Sequence, residues 1–451
     1  MRQWNDVRRL LDRSWIREMA VLLGLVTWTG FMFLLPISGH TKFAFLMFPF
    51  LIILVARFMN VTLYLFIAMV PITIVVFSGD LQVGIPLIVL LVFAMGLVSG
   101  HWKIEPTLFA IAATFALFLI ISIQSNEGPV QGVSAYRDLL TLLLGLGLCV
   151  VATSVKPSIT LILVSIGASS VIVATVIITR AYGQVSLSVD PLNGLTFGQS
   201  SALGLNPNYL GLILALGVVA IAGLSTYYHN PLLLLATVPI WIALTETKSR
   251  GSIVAVVVGL FFIYIVGRGL RARIIIIWGI CLALILWPGI VGYISRVFLE
   301  GRLHQNLSYE TDARIYLARL AVQLSLQHPL FGIGYGNFPF RAVQSPSVGL
   351  LLVPHDDFLR IAAEVGLPAL ILLVTIFFKG VRSMRQINSG NAAVAVTMTY
   401  LVGMITIDSL SSLPLTAGVW VLIGSSIGLA RSKPQMKTIE SSNIRKDILL
   451  S

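Results

Sequence analysis

Ser158–Thr179 reads SITLILVSIGASSVIVATVIIT, and no residue in it carries a charge. At about 1.5 Å per residue such a helix crosses a hydrocarbon core of about 30 Å. Runs of this kind recur along nearly the whole chain, which is 57% hydrophobic and 11% charged with a mean hydropathy of +0.94. Soluble domains carry about 25% charged residues, so that class is excluded. The chain reads as an all-α polytopic membrane protein of about 12–14 transmembrane helices with one large, partly helical extracytoplasmic loop.

Hydropathy and charge divide it into a cytoplasmic N-terminus (1–18), a transmembrane helix bundle (19–294), the large extracytoplasmic loop (295–356), C-terminal transmembrane helices (357–430) and a cytoplasmic tail (431–451). Met19–Pro36 is too long, and too weakly ended by small residues, for a cleaved signal peptide, so it reads as a retained span. With the amino terminus in the cytoplasm, Arg2, Arg8, Arg9, Arg13 and Arg17 lie inside. Lys103, Lys156, the Arg268/Arg271/Arg273 and Lys379/Arg382/Arg385 clusters and the basic tail then fall on the same side. This is the positive-inside arrangement. It puts Gln124–Asp138, Arg180–Pro207, Glu246–Gly251 and Ser295–Asp356 on the outer face.

The net charge of +12 is spread over short connections rather than striped with aromatics along one face, so it orients the chain in a bilayer and does not mark a nucleic-acid binder. Cys149 and Cys281 fall in apolar runs without acidic or histidine neighbours at metal-ligand spacing and read as small buried hydrophobes.

Folding in lipid does not require ionisable residues, yet the large loop collects Arg296, Arg302, His304, Arg314, Arg319, His328, Arg341 and His355. From Thr311 to Leu326 the apolar residues Leu317, Leu320, Ala321 and Leu324 share one helical face, set against the membrane surface or the bundle. Gly332-x-Gly334-x-Gly336 has no preceding strand and is flanked by Pro329 and Pro339, so it reads as a tight turn rather than a phosphate cradle.

His355 follows Pro354 and precedes a long apolar run, Asp357–Phe378, read as a span. At a helix amino terminus the neutral ring is favoured, ready to accept a proton; the plainer reading is an interfacial histidine that caps the helix. Asp356, Arg360 and Glu364 follow at i, i+4 and i+8 and read as an internally paired ladder, either supporting His355 or acting directly. Arg250 starts a span with Glu246 four residues earlier, an interfacial ion pair or a free cation. Arg314, at the start of the loop helix, is the other cation candidate. Asn206 and Pro207 read as the N-cap and first position of a helix.

Taken in order, Asn206-Pro207-Asn208, Ser249-Arg250-Gly251, Arg314, His328-Pro329-Leu330-Phe331-Gly332-Ile333-Gly334-Tyr335-Gly336-Asn337-Phe338 and His355-x-x-x-Leu359-x-x-x-x-x-x-Gly366 resemble the O-antigen ligase and O-antigen polymerase superfamily of bacterial membrane glycosyltransferases. The resemblance covers roughly the second half of the chain. The family follows its histidine with Asn, Ser or Gln, where this chain has Asp356.

The resemblance implies a multi-pass protein of the bacterial inner membrane whose active site faces the periplasm or exterior. It implies transfer or polymerisation of an undecaprenyl-diphosphate-linked glycan onto a sugar hydroxyl of lipid A-core or of another lipid-linked glycan, in lipopolysaccharide or exopolysaccharide biosynthesis. No nucleotide sugar, cofactor or obligatory metal is implied. His355 is then the catalytic base, Arg250 and Arg314 bind the donor diphosphate, and Asp356, Arg360 and Glu364 support the site. The competing class is a lipid-linked oligosaccharide flippase or other transporter, which should carry its ionisable groups or broken helices near the midplane. Here they crowd the outer face.

Overall fold

The computed structural model describes residues 59–76, 105–124, 132–181, 207–247, 249–266, 307–343 and 354–432, and among these there is helix and no strand. The helices are α1 (Met59–Val76), α2 (Pro106–Gln124), α3 (Gly132–Val155), α4 (Ile159–Ala181), α5 (Pro207–Tyr228), a 3₁₀ turn (Pro231–Thr237) running into α6 (Val238–Thr247), and α7 (Arg250–Val266). They continue with α8 (Leu307–Gln327), α9 (Phe338–Val343), α10 (Asp357–Glu364), α11 (Leu367–Met384), α12 (Gly390–Thr406) and α13 (Leu413–Ser432). Six of the described helices are long and apolar enough to cross a membrane: α2, α3, α4, α5, α11 and α13. The expected spans Met19–Pro36, Phe43–Ala56, Val83–Ser99 and Arg273–Ile294 lie outside the described residues, as do Cys281, Arg296, Arg302, His304 and Asn206.

The bundle is built around α5, 89% of whose spanning window is buried, between α4, α7 and α12; α2 lies at the periphery, with 33% buried. The closest pairing is α3 with α13, which small residues permit. In the Gly424-Ser-Ser-Ile-Gly428 stretch of α13, a Cβ on Gly424 would stand 2.0 Å from the Cys149 carbonyl oxygen, and one on Gly428 would stand 2.2 Å from that of Thr153. Lipid supplies no hydrophobic drive between helices, so this close approach supplies the packing attraction. Cys149 is buried there, as its apolar surroundings indicated.

The ends of the bundle differ. At one end Glu105 caps α2 by accepting from the Leu108 N–H, and its carboxylate pairs with Lys379 at 3.1 Å and Arg431 at 3.8 Å. Ser158 N donates to Tyr64 Oη at the same end, beside Lys156. At the other end lie the close of α2, the start of α3, the start of α5, the α6–α7 break, the α12–α13 connection and α8 to α10. Among the described residues, Lys156, Lys379, Arg382, Arg385 and Arg431 thus share one end, and Arg250, Arg314, His328 and His355 share the other.

The expected span Asp357–Phe378 is two helices. Amphipathic α10 ends at Glu364, Gly366 takes φ +106°, and the spanning helix α11 begins at Leu367 with Pro368 in its first turn. A Cβ on Gly366 would stand 2.4 Å from the Leu330 carbonyl oxygen, so glycine is required on both counts.

Candidate functional site around helix α10

Asp356 is the N-cap of α10: its backbone is extended and its Oδ1 accepts from the Leu359 N–H at 3.0 Å. Asp is among the strong N-caps, as Asn and Ser are. Its role in the expected ladder is corrected on this point. The carboxylate is engaged by the helix's orphan donors, and only the Arg360–Glu364 rung of the ladder forms, at 3.0 Å. Burial raises the Asp356 carboxyl above its ordinary range, against the two backbone hydrogen bonds that oppose the shift. His355, half-buried, immediately precedes this cap, and Pro354 before it is buried.

The carboxy-terminal end of α10 is clamped by the glycine turn. Ile333 N donates to Ala363 O at 2.9 Å, Gly334 N to Glu364 O at 3.0 Å, and Leu367 N to Pro329 O at 2.8 Å. Gly332, Gly334 and Gly336 all have positive φ, and a Cβ on Gly332 would stand 2.3 Å from the Glu364 carbonyl carbon. The turn therefore satisfies two of the last carbonyls of the helix, those of Ala363 and Glu364. The tight-turn reading holds, and its purpose is to hold α10. Gly332→Ala is expected to destabilise the protein by at least ~1–3 kcal/mol, since strain and a backbone collision coincide. Thermal unfolding in detergent measures it, and an unchanged midpoint would mean that the turn does not clamp α10.

Glu364, fully buried, ties three elements together. Its Oε1 accepts from Phe338 N at 3.1 Å at the start of α9, its Oε2 accepts from Arg360 Nε, and its backbone oxygen accepts from Ser122 Oγ on α2 at 2.6 Å. Tyr335 N in turn donates to Ser122 O at 3.3 Å. The face of α8 made by Leu317, Ala321 and Leu324, with Leu320 beside it, packs on Phe338, Ala342 and Ala363. The loop-helix face read from the sequence is therefore the one that meets α10.

Three acidic residues converge on the Arg360 guanidinium: Glu364, Asp408 at 2.5 Å and Asp138 at 3.8 Å, with the Tyr335 ring 5.3 Å from its centre. Asp357 completes the cluster. Its Oδ2 accepts from Ser409 N at 2.9 Å, Ser409 Oγ at 2.7 Å and Leu410 N at 3.1 Å, which fastens the α12–α13 connection to α10. Burial, with Asp408 alongside, holds the Asp357 carboxyl well above the usual carboxylate range and favours its protonated form. Among the described residues no group of three His, Cys, Asp or Glu side chains is disposed to hold a metal ion.

The sequence reading singled out Arg360 and Glu364 but missed Asp357, Asp408, Asp138 and Tyr335. An acid between two spans on the side where the loop residues gather was the available signal for Asp408.

Arg250 is exposed and opens α7. It lies at the same end of the bundle, because a Cβ on the next residue, Gly251, would stand 2.7 Å from Thr406 Oγ1 at the close of α12. Ser249 Oγ donates to Asn208 Oδ1 at 3.0 Å, so the Asn206-Pro207-Asn208 and Ser249-Arg250-Gly251 stretches meet. Glu246 and Arg250 stand on opposite sides of the break between α6 and α7 and do not share a helix. Arg314 is exposed on α8, one turn before Leu317.

Residues 233–374 match the family model described as O-antigen ligase. Over that stretch the chain is similar to the O-antigen ligase family. The stretch takes in Arg250, Arg314, the glycine turn, His355 and all of α10. Two of Arg360's acidic partners, Asp138 and Asp408, and the Asn208 partner of Ser249 come from outside it. No curated protein matches the chain.

Proposed function

We propose that the protein is a glycosyltransferase that takes a glycan from undecaprenyl diphosphate and passes it to a sugar hydroxyl at the outer face of the bacterial inner membrane. The acceptor is lipid A-core in a ligase or another lipid-linked glycan in a polymerase. The observation that carries the reading is the placement of His355: it stands at the head of a short helix held by the glycine turn, Ser122, Asp138 and Asp408, within the residues that match the O-antigen ligase family model, at the end of the bundle that also holds Arg250.

His355, with its ring neutral, takes the proton of the acceptor hydroxyl as that oxygen attacks the anomeric carbon. The bond from this carbon to the diphosphate oxygen breaks, and the diphosphate leaves with its electron pair. Arg250 and Arg314 hold the diphosphate through charge-assisted hydrogen bonds that strengthen as negative charge accumulates. Attack opposite the leaving group inverts the anomeric centre, and no metal is required. Arg360 and Glu364 serve by position, since both are buried and paired with each other, and Asp356 serves by capping.

Alanine at Arg250 or Arg314 is expected to weaken binding of undecaprenyl-diphosphate glycan by roughly 10- to 100-fold, as loss of a charge-assisted hydrogen bond of about 1.5–3 kcal/mol requires. Lysine should restore part of it, because a point charge cannot reproduce the planar fork. Titration of detergent-purified variants with labelled donor measures this. Normal donor binding by both alanine variants would remove the two arginines from the proposed site.

A further inference from the structure

Helix α8 has two apolar faces. Leu317, Ala321 and Leu324 are buried on α10 and α9. Ile315, Val322 and Leu326 lie within about 40° of one another at 3.6 residues per turn and on the opposite side of the helix. All three are exposed, Leu326 at 69%. The same surface continues past the end of α8 into the turn, where Leu330 is 62% and Phe331 50% exposed.

The setting of that turn indicates what covers the surface. The Phe331 ring stacks on Phe118 of α2 at 5.8 Å. Phe118 lies inside the spanning window Pro106–Ile123, about 9 Å before the helix ends at Gln124, taking 1.5 Å per residue. The neighbouring α2 residues Leu117, Ile120 and Ile121 are exposed, as befits the outer surface of a peripheral span. Leu330 and Phe331 therefore extend the hydrocarbon-facing surface of α2, and the outward stripe of α8 prolongs it. Arg319, exposed beside the stripe, has the length to lay its stem along the apolar surface and place its guanidinium among lipid phosphates.

We propose that α8 is seated in the leaflet at the site end of the bundle, with lipid acyl chains covering Ile315, Val322, Leu326, Leu330 and Phe331. The helix then joins the bilayer to the helix that His355 precedes: one face meets lipid, and the other positions α10. This inference rests on the fold and not on the transfer chemistry.

Single nitroxide labels test it, at Ile315→Cys, Leu326→Cys and, as the polar control, Gln327→Cys. The full-length chain, with Cys149 and Cys281 replaced by Ala, is reconstituted in phosphatidylethanolamine–phosphatidylglycerol vesicles. Relaxation by oxygen, which concentrates in hydrocarbon, is compared with relaxation by a water-soluble nickel chelate. Labels at 315 and 326 should favour oxygen, and the label at 327 should favour nickel. Preference for nickel at 326 would place the stripe in water and overturn the proposal. A label at 326 shielded from both agents would assign the face to a protein contact, such as a second copy, and overturn it equally.

Discussion

His355→Ala is expected to lower glycan transfer by roughly 10²- to 10⁴-fold, the usual contribution of a positioned general base, while donor binding persists. The ring is half-buried and stands immediately before a cap whose side chain already serves the helix N–H groups. The N-cap position itself is filled by Asp356. The assay pairs purified protein in vesicles with lipid-linked donor and acceptor, and it must detect residual turnover at the lower bound. Wild-type turnover in the alanine protein would end the base assignment and turn attention to His328, exposed just past α8, or to His304. Joint loss of donor binding and turnover would instead make His355 a ligand of the diphosphate.

The second large effect is on stability. Arg360→Ala removes the cation from Glu364 and Asp408 and leaves two buried carboxylates unpaired, which is expected to cost about 3–5 kcal/mol. Arg360→Ala combined with Asp408→Asn should be less destabilised than Arg360→Ala alone, because the second change removes one of the stranded charges. Such coupling between contacting residues is what a double-mutant cycle measures. Denaturant unfolding in mixed micelles gives the four stabilities. Additivity of the two substitutions would show that Arg360 and Asp408 do not act as a pair.

Among the described residues the long apolar helices were legible because hydrophobic length is a local property, and so was the inner face of α8, where Leu317, Ala321 and Leu324 repeat at the helical period. The turn was legible because glycine and proline mark it directly. The break after α10 was not. The apolar run from Val365 to Phe378 joins the end of α10 without a polar break, and only Val365 and Gly366 separate the two helices. The charge cluster was half legible. Arg360 and Glu364 are four residues apart on one helix, whereas Asp138 and Asp408 reach Arg360 from α3 and from beyond α12. Spacing in sequence carries no trace of such contacts. Asp356 misled for a physical reason: four residues from an arginine it satisfies a pairing rule, but at a helix start it also satisfies a capping rule, and the nearer donors won.

The hinge at Gly366 has a mechanical consequence. A rigid helix running from His355 to Met384 would transmit every tilt of the span to the histidine, so a thicker or thinner bilayer would raise or lower its ring. With the chain bent at Gly366 and α10 gripped sideways by Ser122, Asp138, Asp408 and the glycine turn, the height of the ring is set by α10's neighbours rather than by the axis of α11. The bend at Gly366 thus separates the depth of His355 from the direction of the span that follows it.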